Sequence, residues 1–175
     1  MNSFYSNEEL AYLGLKKYGK NVLLSRKCSI YGGENIEIGD NVRIDDFCIL
    51  SGNIKIGSHI HISAYVALYG AMGIIMEDYT GISPRSTVFS AMDDFSGTYL
   101  IGPIHDEKLT NVTGGPVILR KFAQAGAHSV IFPNIEFGEG AICGAMSLVN
   151  KSLSPWSINV GIPARFLRNR KPIRI

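Results

Sequence analysis

The sequence lacks the features that mark several classes of protein. Its three cysteines are an odd number and form no Cys-x-x-Cys pair, which argues against a disulfide framework and a zinc clip. Basic and acidic residues nearly balance, at 17 and 15, and aromatic residues form no stripe with the basic ones, so we expect no nucleic-acid partner. No apolar run at the N-terminus is long enough for a signal peptide or a membrane span. We therefore expect a cytoplasmic protein without integral membrane contact.

What the sequence does have is a repeat of six residues. Apolar residues recur on two tracks, the second two positions after the first. The first track holds Ile36, Val42, Cys48, Ile54, Ile60 and Val66, and the second holds Ile38, Ile44, Leu50, Ile56, Ile62 and Leu68. A period of six does not fit an amphipathic helix, whereas a short strand that buries both residues of an Ile-x-Ile pair and then turns a corner produces it. The pattern predicts an all-β protein, a parallel β-helix of hexapeptide repeats.

The tracks also predict how the chain is organised. With 46% hydrophobic residues, the chain of 175 residues is expected to form one domain with a continuous core. We expect an N-terminal cap over residues 1–20, the β-helix over 21–154, and a C-terminal cap or tail over 155–175. The tracks are interrupted from 89 to 116, which predicts one extruded loop.

Local signals predict the ends and corners of the β-helix. Ser6 and Glu9 have the spacing of a capping box, which predicts one short helix over roughly 7–18 that stops near Gly19. Residues 163–170 are expected to start a second short helix. Several glycines directly follow an inward-facing residue and are expected to supply the backbone dihedral angles of the corners. They are Gly39, Gly57, Gly126, Gly138 and Gly144.

Three hexads per turn would give the coil three faces, and the residue between each inward pair should point outward. One face is mostly apolar on the outside, which suggests contact between subunits. The third face is more polar and is the better candidate for a wall of an active site. The first set is Ile49, Ala67, Thr87, Val130 and Leu148; the second is Glu37, Lys55, Ile75, Ile118 and Glu136; the third is Arg43, His61, Gly81, Gln124 and Ile142.

The C-terminal half carries the most specific signal. Residues 117–168 read VILRKFAQAGAHSVIFPNIEFGEGAICGAMSLVNKSLSPWSINVGIPARFLR. With the repeats and the single loop, this segment resembles the hexapeptide-repeat acetyltransferases, and the similarity covers about residues 21–170. The N-terminal helix and the stretch SAMDDFSG look most like the branch that modifies nucleotide-linked or surface-polysaccharide sugars.

The resemblance implies a left-handed β-helix that forms a homotrimer, with active sites between neighbouring subunits. It implies an acetyltransferase in which acetyl-CoA lies along the groove and a hydroxyl or amino group of a sugar attacks the thioester directly. The expected acceptor is a nucleotide- or lipid-linked sugar of surface polysaccharide or lipopolysaccharide biosynthesis. Transfer to oxygen and transfer to nitrogen both stay open, and no metal is expected.

Three residues are candidates for catalysis. His105 lies in the loop, where a similar segment of the galactoside-type enzymes carries the base, but an exposed loop histidine is an equally good interpretation. His61 points outward on the third face and is either a second candidate base or a surface histidine bonded to its neighbours. Asp93 and Asp94 could orient a histidine or bind a sugar hydroxyl or amine, although Asp-Asp-x-Ser-Gly is also typical of a turn. We take Asp94 as a catalytic candidate and Asp93 as a substrate-binding one.

The cofactor-binding candidates follow from the resemblance. The backbone N–H of Ala127 aligns with the family's oxyanion donor. Gly144 and Ala145 align with the strip that contacts the pantetheine arm. Lys151 and Arg165 match positions that attract the phosphates of coenzyme A.

Two further third-face residues are expected to bind the acceptor, Gln124 and Arg43. Gln124 occupies the place of an active-site tryptophan in the galactoside-type sequence. Two rival hypotheses remain. A γ-type carbonic anhydrase shares the solenoid, but it needs a His-x4-His pair, and the closest pair here is His59-x-His61. A non-catalytic solenoid that binds sugar or acts as a scaffold is the other.

Overall fold

The computed structural model describes residues 3–174, and its regular structure is almost entirely short strands. Residues 1–2 and 175, which the predicted terminal segments include, lie outside the described residues. One short helix, α1 (Asn7–Leu10), precedes the strands. The strands are β1 (Lys17–Tyr18), β2 (Val22–Leu24), β3 (Ser29–Tyr31), β4 (Ile36–Ile38), β5 (Val42–Ile44), β6 (Ile49–Ile56), β7 (Ile60–Ile62), β8 (Ala67–Met76), β9 (Gly81–Ile82), β10 (Thr87–Phe89), β11 (Ala91–Asp93), β12 (Val112–Gly114), β13 (Val117–Leu119), β14 (Gln124–Ala125), β15 (Val130–Ile131), β16 (Glu136–Phe137), β17 (Ile142–Cys143), β18 (Leu148–Val149), β19 (Ser157–Val160) and β20 (Arg165–Asn169).

Strands from successive coils pair in parallel, as the six-residue period predicts. One sheet runs β2-β5-β7-β9-β14-β17-β19-β20 and forms the third face. The other two faces share one sheet, because the long strands β6 and β8 turn the corner between them. The register confirms the sorting of outward residues into three rows; on the third face Arg43 pairs with His61, His61 with Gly81, and Gly81 with Gln124.

The core is the space enclosed by the coils. Residues of the two predicted tracks are at most 2% exposed, from Ile36 through Leu68. Cys48 and Cys143 lie on these tracks and are buried as small core residues. Each coil covers the apolar ends of its neighbours, so burial of these side chains is what drives the coils to stack.

The corners use glycine for a different reason than predicted. The left-handed backbone angles fall on other residues, such as Asn41, His59 and Tyr65, with φ between 56° and 62°. Gly39 instead lies where the next coil passes very close: a Cβ there would be 2.5 Å from the carbonyl oxygen of Gly57. The same crowding holds at the other four glycines of the set. The predicted dihedral role was therefore wrong; the absence of a side chain, rather than backbone freedom, is what these positions need.

The predicted N-terminal helix is too long. The capping box is present, with Glu9 N–H donating to Ser6 Oγ and Ser6 N–H to the Glu9 carboxylate, but α1 ends at Leu10 rather than near residue 18. The reason is that the following segment finds a strand partner, because Lys17 and Tyr18 pair in parallel with Glu37 and Ile38. Leu10 is buried against the open end of the core.

The predicted C-terminal helix is absent. Residues 165–169 form β20, which runs antiparallel to β19. β19 is the last parallel strand of its sheet, and its free edge groups would otherwise lack partners. β20 satisfies them, so pairing with this edge outweighs local helix formation.

The extruded loop is where it was predicted. It leaves the coil after β10, and its base is a two-stranded antiparallel sheet in which β11 pairs with β12. A 3-10 turn over Glu107–Leu109 lies farther out. No helix among the described residues has both the length and the apolar character needed to cross a membrane.

Candidate active site

The third face has a gap in its row of outward side chains. Gly81 lies between His61 and Gln124 in the register and has no side chain to fill the space between them. The resulting pocket has a volume of about 270 Å³ and is also lined by Ser63 and Ser83. A Cβ on Gly81 would lie 2.5 Å from Gln124 Oε1. The missing side chain of one residue therefore opens the pocket.

His61 is held in the pocket wall by Asp45. The Asp45 carboxylate lies 2.7 Å from His61 Nε2 through one oxygen, and the other accepts a hydrogen bond of 2.7 Å from Arg43 Nε. Burial acts to raise the pKa of Asp45, but the hydrogen bonds from His61 and Arg43 outweigh it and the pKa is lowered. Because Asp45 occupies Nε2, Nδ1 is the ring nitrogen left for a ligand.

Arg43 lies one coil before His61 and does not line the pocket at Gly81. It is in a separate cavity of about 310 Å³ that Phe4 and Asp45 also line. Its guanidinium carbon is 5.4 Å from the centre of the Phe4 ring. Arg43, which was predicted to bind the acceptor, therefore lies beside the pocket at Gly81 rather than inside it.

Gln124 presents an acceptor to the pocket. Its Nε2 donates a hydrogen bond of 3.1 Å to the carbonyl oxygen of Tyr79. That bond orients the amide so that Oε1 is the atom nearest to the space above Gly81. A carbonyl-type oxygen in this position suits a ligand N–H or O–H.

Two serines of the pocket were missed in the sequence. Each of them directly follows the second inward residue of a third-face hexad, and backbone hydrogen bonds link their positions from coil to coil. Neither hydroxyl has a hydrogen-bond partner within residues 3–174, so both are available to a ligand. The position just after each inward pair was interpreted only where a glycine occupies it, as a corner; the polar residues at that position were the available signal. The full row is Asp45, Ser63, Ser83, Gly126 and Gly144.

The cofactor candidates continue along the same edge of the β-helix. The backbone N–H groups of Ala127 and Ala145 have no acceptor within the described part of the chain, whereas the N–H groups of the preceding residues, Gly126 and Gly144, donate to the next coil. An unpaired backbone N–H is a suitable donor to an oxyanion. At the far end, Lys151 and Arg165 line one cavity of about 310 Å³.

The geometry can be compared with that of known proteins. The chain is 39% identical over 165 residues to dTDP-4-amino-4,6-dideoxy-D-glucose acyltransferase from Escherichia coli, covering 93% of this chain and 86% of that protein. The chain belongs to the hexapeptide-repeat acyltransferases. No protein-family model matches it. Galactoside O-acetyltransferase of Escherichia coli K12 is 24% identical, over 75% of this chain and 62% of its own length.

A solved structure extends the comparison. A variant of AntD, an N-acyltransferase from Bacillus cereus, in complex with dTDP-4-amino-4,6-dideoxyglucose and coenzyme A is 55% identical and superposes with a TM-score of 0.96. The match covers 98% of this chain and 92% of that one. The predicted family, its acyltransferase activity and the left-handed parallel β-helix are thereby confirmed. AntD has also been solved with 3-hydroxybutyryl-CoA, and in variants that replace one serine or one aspartate.

In this hexapeptide-repeat acyltransferase, the predicted loop residues do not line the pocket of their own chain. Asp94 accepts hydrogen bonds from Ser96 N–H at 2.7 Å and from Asn111 Nδ2 at 3.0 Å. These bonds, the one from the Ser96 backbone foremost, lower the pKa of Asp94. Asp93 ends β11, and His105 is exposed near the loop tip. The chain therefore brings His61 and Gln124 together but leaves Asp93, Asp94 and His105 apart from them.

The two neighbouring histidines of the third face have different surroundings. The ring of His59 stacks on that of Tyr79, with ring centres 4.8 Å apart and planes 3° from parallel, and it also lines the pocket. His61 is instead hydrogen-bonded to Asp45. Among residues 3–174, no three His, Cys, Asp or Glu side chains form a group that could hold a metal ion.

Proposed function

We propose that this acyltransferase transfers an acyl group from coenzyme A to the amine of a dTDP-linked 4-amino-4,6-dideoxy sugar. The observation that carries the proposal is the gap at Gly81, a small polar space lined by His61 and Gln124, whose Nδ1 and Oε1 are the side-chain atoms left for a ligand. Both atoms accept hydrogen bonds, which suits the two N–H groups of a neutral amine. The acceptors named for the Escherichia coli relative and bound in the AntD complex support the amino sugar over a hydroxyl acceptor.

The reaction is a direct displacement at the thioester. The amine nitrogen attacks the carbonyl carbon, a C–N bond forms, and the carbonyl oxygen becomes an oxyanion. The C–S bond then breaks, coenzyme A leaves as a thiolate, and the proton lost by nitrogen ends on its sulfur. The products are the N-acyl sugar and free coenzyme A.

Each step has a candidate group in the structure. His61 accepts the amine proton, with Asp45 holding its ring in place. Gln124 and Ser83 orient the acceptor. The free N–H of Ala127 stabilises the oxyanion. His61 and Gln124 lie on successive coils on either side of Gly81, and Ser83 and Ala127 follow at the adjoining corners.

The donor occupies the C-terminal coils. The small residues Gly144 and Ala145 let the pantetheine arm lie against the backbone, and Lys151 and Arg165 attract the phosphates. We propose acetyl-CoA as the donor. The AntD complex with 3-hydroxybutyryl-CoA makes a longer acyl group the alternative to test.

The loop residues are proposed to act in a neighbouring subunit. A homotrimer would cover the apolar first face, where Val130 pairs with Leu148 and Thr87 and all three side chains are only half-buried. It would also bring the loop of one subunit to the pocket of the next. Because its pKa is lowered, Asp94 stays a carboxylate, which would accept a hydrogen bond from an N–H of the amine. AntD variants at an aspartate support a role for this carboxylate pair.

The setting of the reaction is also a proposal. Both substrates are soluble and phosphorylated, which supports the cytoplasm as the compartment. An N-acylated dTDP-sugar suits transfer into surface polysaccharide, with lipopolysaccharide as the predicted destination.

The test is an assay of the purified protein with dTDP-4-amino-4,6-dideoxyglucose and acetyl-CoA. We expect release of free thiol and an amide product by mass spectrometry, with dTDP-glucose as the control that lacks the amine. Comparison with 3-hydroxybutyryl-CoA decides the donor. If no acyl-CoA reacts and none raises the melting temperature, the non-catalytic solenoid becomes the better hypothesis.

A further inference from the structure

We infer that Arg85, stacked on the ring of Tyr65, binds the diphosphate of the nucleotide-linked acceptor. The inference rests on the proposed function and extends it to a residue beyond the pocket at Gly81. Arg85 lies at the corner between the third and first faces, two residues after Ser83.

Arg85 is held in place by an aromatic ring. Its guanidinium carbon lies 4.4 Å from the centre of the Tyr65 ring. Tyr65 in turn stacks on Phe47, with ring centres 4.9 Å apart and an angle of 25° between the ring planes. The backbone N–H of Arg85 donates to the carbonyl oxygen of Ala64 at 3.1 Å. A guanidinium stacked by its face keeps its N–H edge free, and that edge matches two phosphate oxygens at once.

The charge of Arg85 is uncompensated, unlike that of its cationic neighbours. Lys27 pairs with Asp46 at 2.9 Å, and Arg43 pairs with Asp45 at 2.7 Å. Over residues 3–174, Arg85 has no carboxylate within ion-pair distance, and it is exposed. A fixed cation without a carboxylate partner is available for an anionic ligand.

The position of Arg85 fits the length of a nucleotide sugar. Ser83, which lines the pocket, is two residues earlier, so the two Cα atoms are at most about 7 Å apart. The residues between the pocket and the corner are Ala64 and Pro84, and neither has a long side chain. The diphosphate is attached to the anomeric carbon, one sugar ring away from the reacting amine. A sugar whose amine lies over Gly81 can therefore place its diphosphate on Arg85.

The direction of the side chain favours the acceptor over coenzyme A. Arg85 extends toward Tyr65, on the N-terminal side of its coil. The donor candidates Gly144, Lys151 and Arg165 all lie on the C-terminal side. The nucleotide sugar and coenzyme A would meet near Ser83, and each would then have its own cationic site: Arg85 for the sugar diphosphate, and Lys151 with Arg165 for the phosphates of coenzyme A.

The test is the kinetics of Arg85→Ala with dTDP-4-amino-4,6-dideoxyglucose and acyl-CoA. Loss of a charged hydrogen-bonding partner should raise KM for the nucleotide sugar by about tenfold or more, with kcat and KM for acyl-CoA nearly unchanged. Arg85→Lys should show a smaller rise, because lysine keeps the charge but loses the bidentate edge. Lys55→Ala, which removes a charge from the second face, is the matched control and should behave as wild type.

Binding of dTDP and of thymidine separates the diphosphate from the rest of the ligand. Measured by calorimetry, the affinity for dTDP should be lower in Arg85→Ala than in wild type, and the affinity for thymidine should be unchanged. An unchanged KM for the nucleotide sugar, a rise confined to acyl-CoA, or loss of the assembled state by light scattering would each overturn the inference. Failure of the proposed function is distinguishable, because the wild-type protein itself would then not acylate the amino sugar.

Discussion

Gly81 and Gln124 are paired residues on adjacent coils, and Gln124 Oε1 lies next to the space that a side chain at position 81 would fill. The pocket at Gly81 is therefore a property of two residues that are far apart in the sequence. Substitutions at and around this pair test whether the pocket binds the acceptor.

Gly81→Ala should close the pocket with little loss of stability. The added Cβ would lie 2.5 Å from Gln124 Oε1 and 3.3 Å from the His61 carbonyl oxygen, so the amide must swing away. We expect a rise in KM for the amino sugar of tenfold or more and a melting temperature within a few degrees of wild type. Ile142→Ala, on the same face but outside the pocket, is the control. Wild-type kinetics in Gly81→Ala would show that the acceptor binds elsewhere.

His61 and His105 should differ in importance. His61→Ala removes the imidazole that faces the pocket, and we expect a loss of about a hundredfold in kcat. His105→Ala should keep most of the activity, since the proposed base is His61 and His105 is an exposed loop residue. Steady-state rates for both variants with the amino sugar check this. A large loss in His105→Ala with His61→Ala active would reverse the assignment.

Lys151→Ala and Arg165→Ala should each weaken the donor and spare the acceptor. Both side chains line the cavity at the C-terminal end. We expect KM for acetyl-CoA to rise by about tenfold in each variant, because a charge-assisted phosphate contact is lost. Dephospho-CoA, which lacks the 3′-phosphate, shows which of the two residues contacts that group. Equal effects on both substrates would contradict the separation of the two sites.

Val130→Glu should prevent assembly. It places a charge in the centre of the apolar row of the first face, between Thr87 and Leu148. Light scattering after gel filtration should show a trimer for wild type and a monomer for the variant, with activity lost in parallel. Ile75→Glu on the second face should remain trimeric. A monomeric and active wild-type protein would exclude the proposed site between subunits.

Acid stability should depend on the ion pairs of Arg120. Its hydrogen bonds lower the pKa of Glu136 below the ordinary value of 4.5. A carboxyl whose pKa is lower in the folded state stabilises the protein above its unfolded pKa, and that contribution disappears as the pH falls through the folded pKa. The melting temperature should therefore fall less steeply below about pH 4.5 in Glu136→Gln than in wild type.

The size of this effect is modest, because exposed ion pairs contribute about 1 kcal/mol or less. Glu139→Gln is the matched control, since Glu139 forms no ion pair within residues 3–174. Parallel pH profiles for Glu136→Gln and wild type would show that the pair with Arg120 does not contribute.

Much of the fold was predictable because its determinants are local and repeated. Inward pairs two residues apart, such as Ile60 and Ile62, recur from coil to coil, and their burial confirms the predicted tracks. The ends were harder to predict. Lys17 and Tyr18 join a strand, and residues 165–169 pair with β19, because an open sheet edge offers them partners that no local pattern reveals.

The site was predicted in part. His61, Gln124 and the cofactor candidates Lys151 and Arg165 were identified from the faces and the family resemblance, and the structure places each pair in one cavity. Ser63 and Ser83 were missed, because the position just after the inward pair was interpreted only as a corner position for glycine. The roles of Asp94 and His105 remain predictions, since they depend on a neighbouring subunit.

The sequence by itself determined the period, the three faces and the apolar row, because each of these follows from which residues the strand alternation turns inward. Only the tertiary structure decided where a ligand fits. Stacking places Gly81 beside residues that are 20 positions earlier and 43 positions later in the chain. A missing side chain becomes a pocket only when its neighbours in space, His61 and Gln124, are large and polar, and that adjacency is a property of the stacked coils.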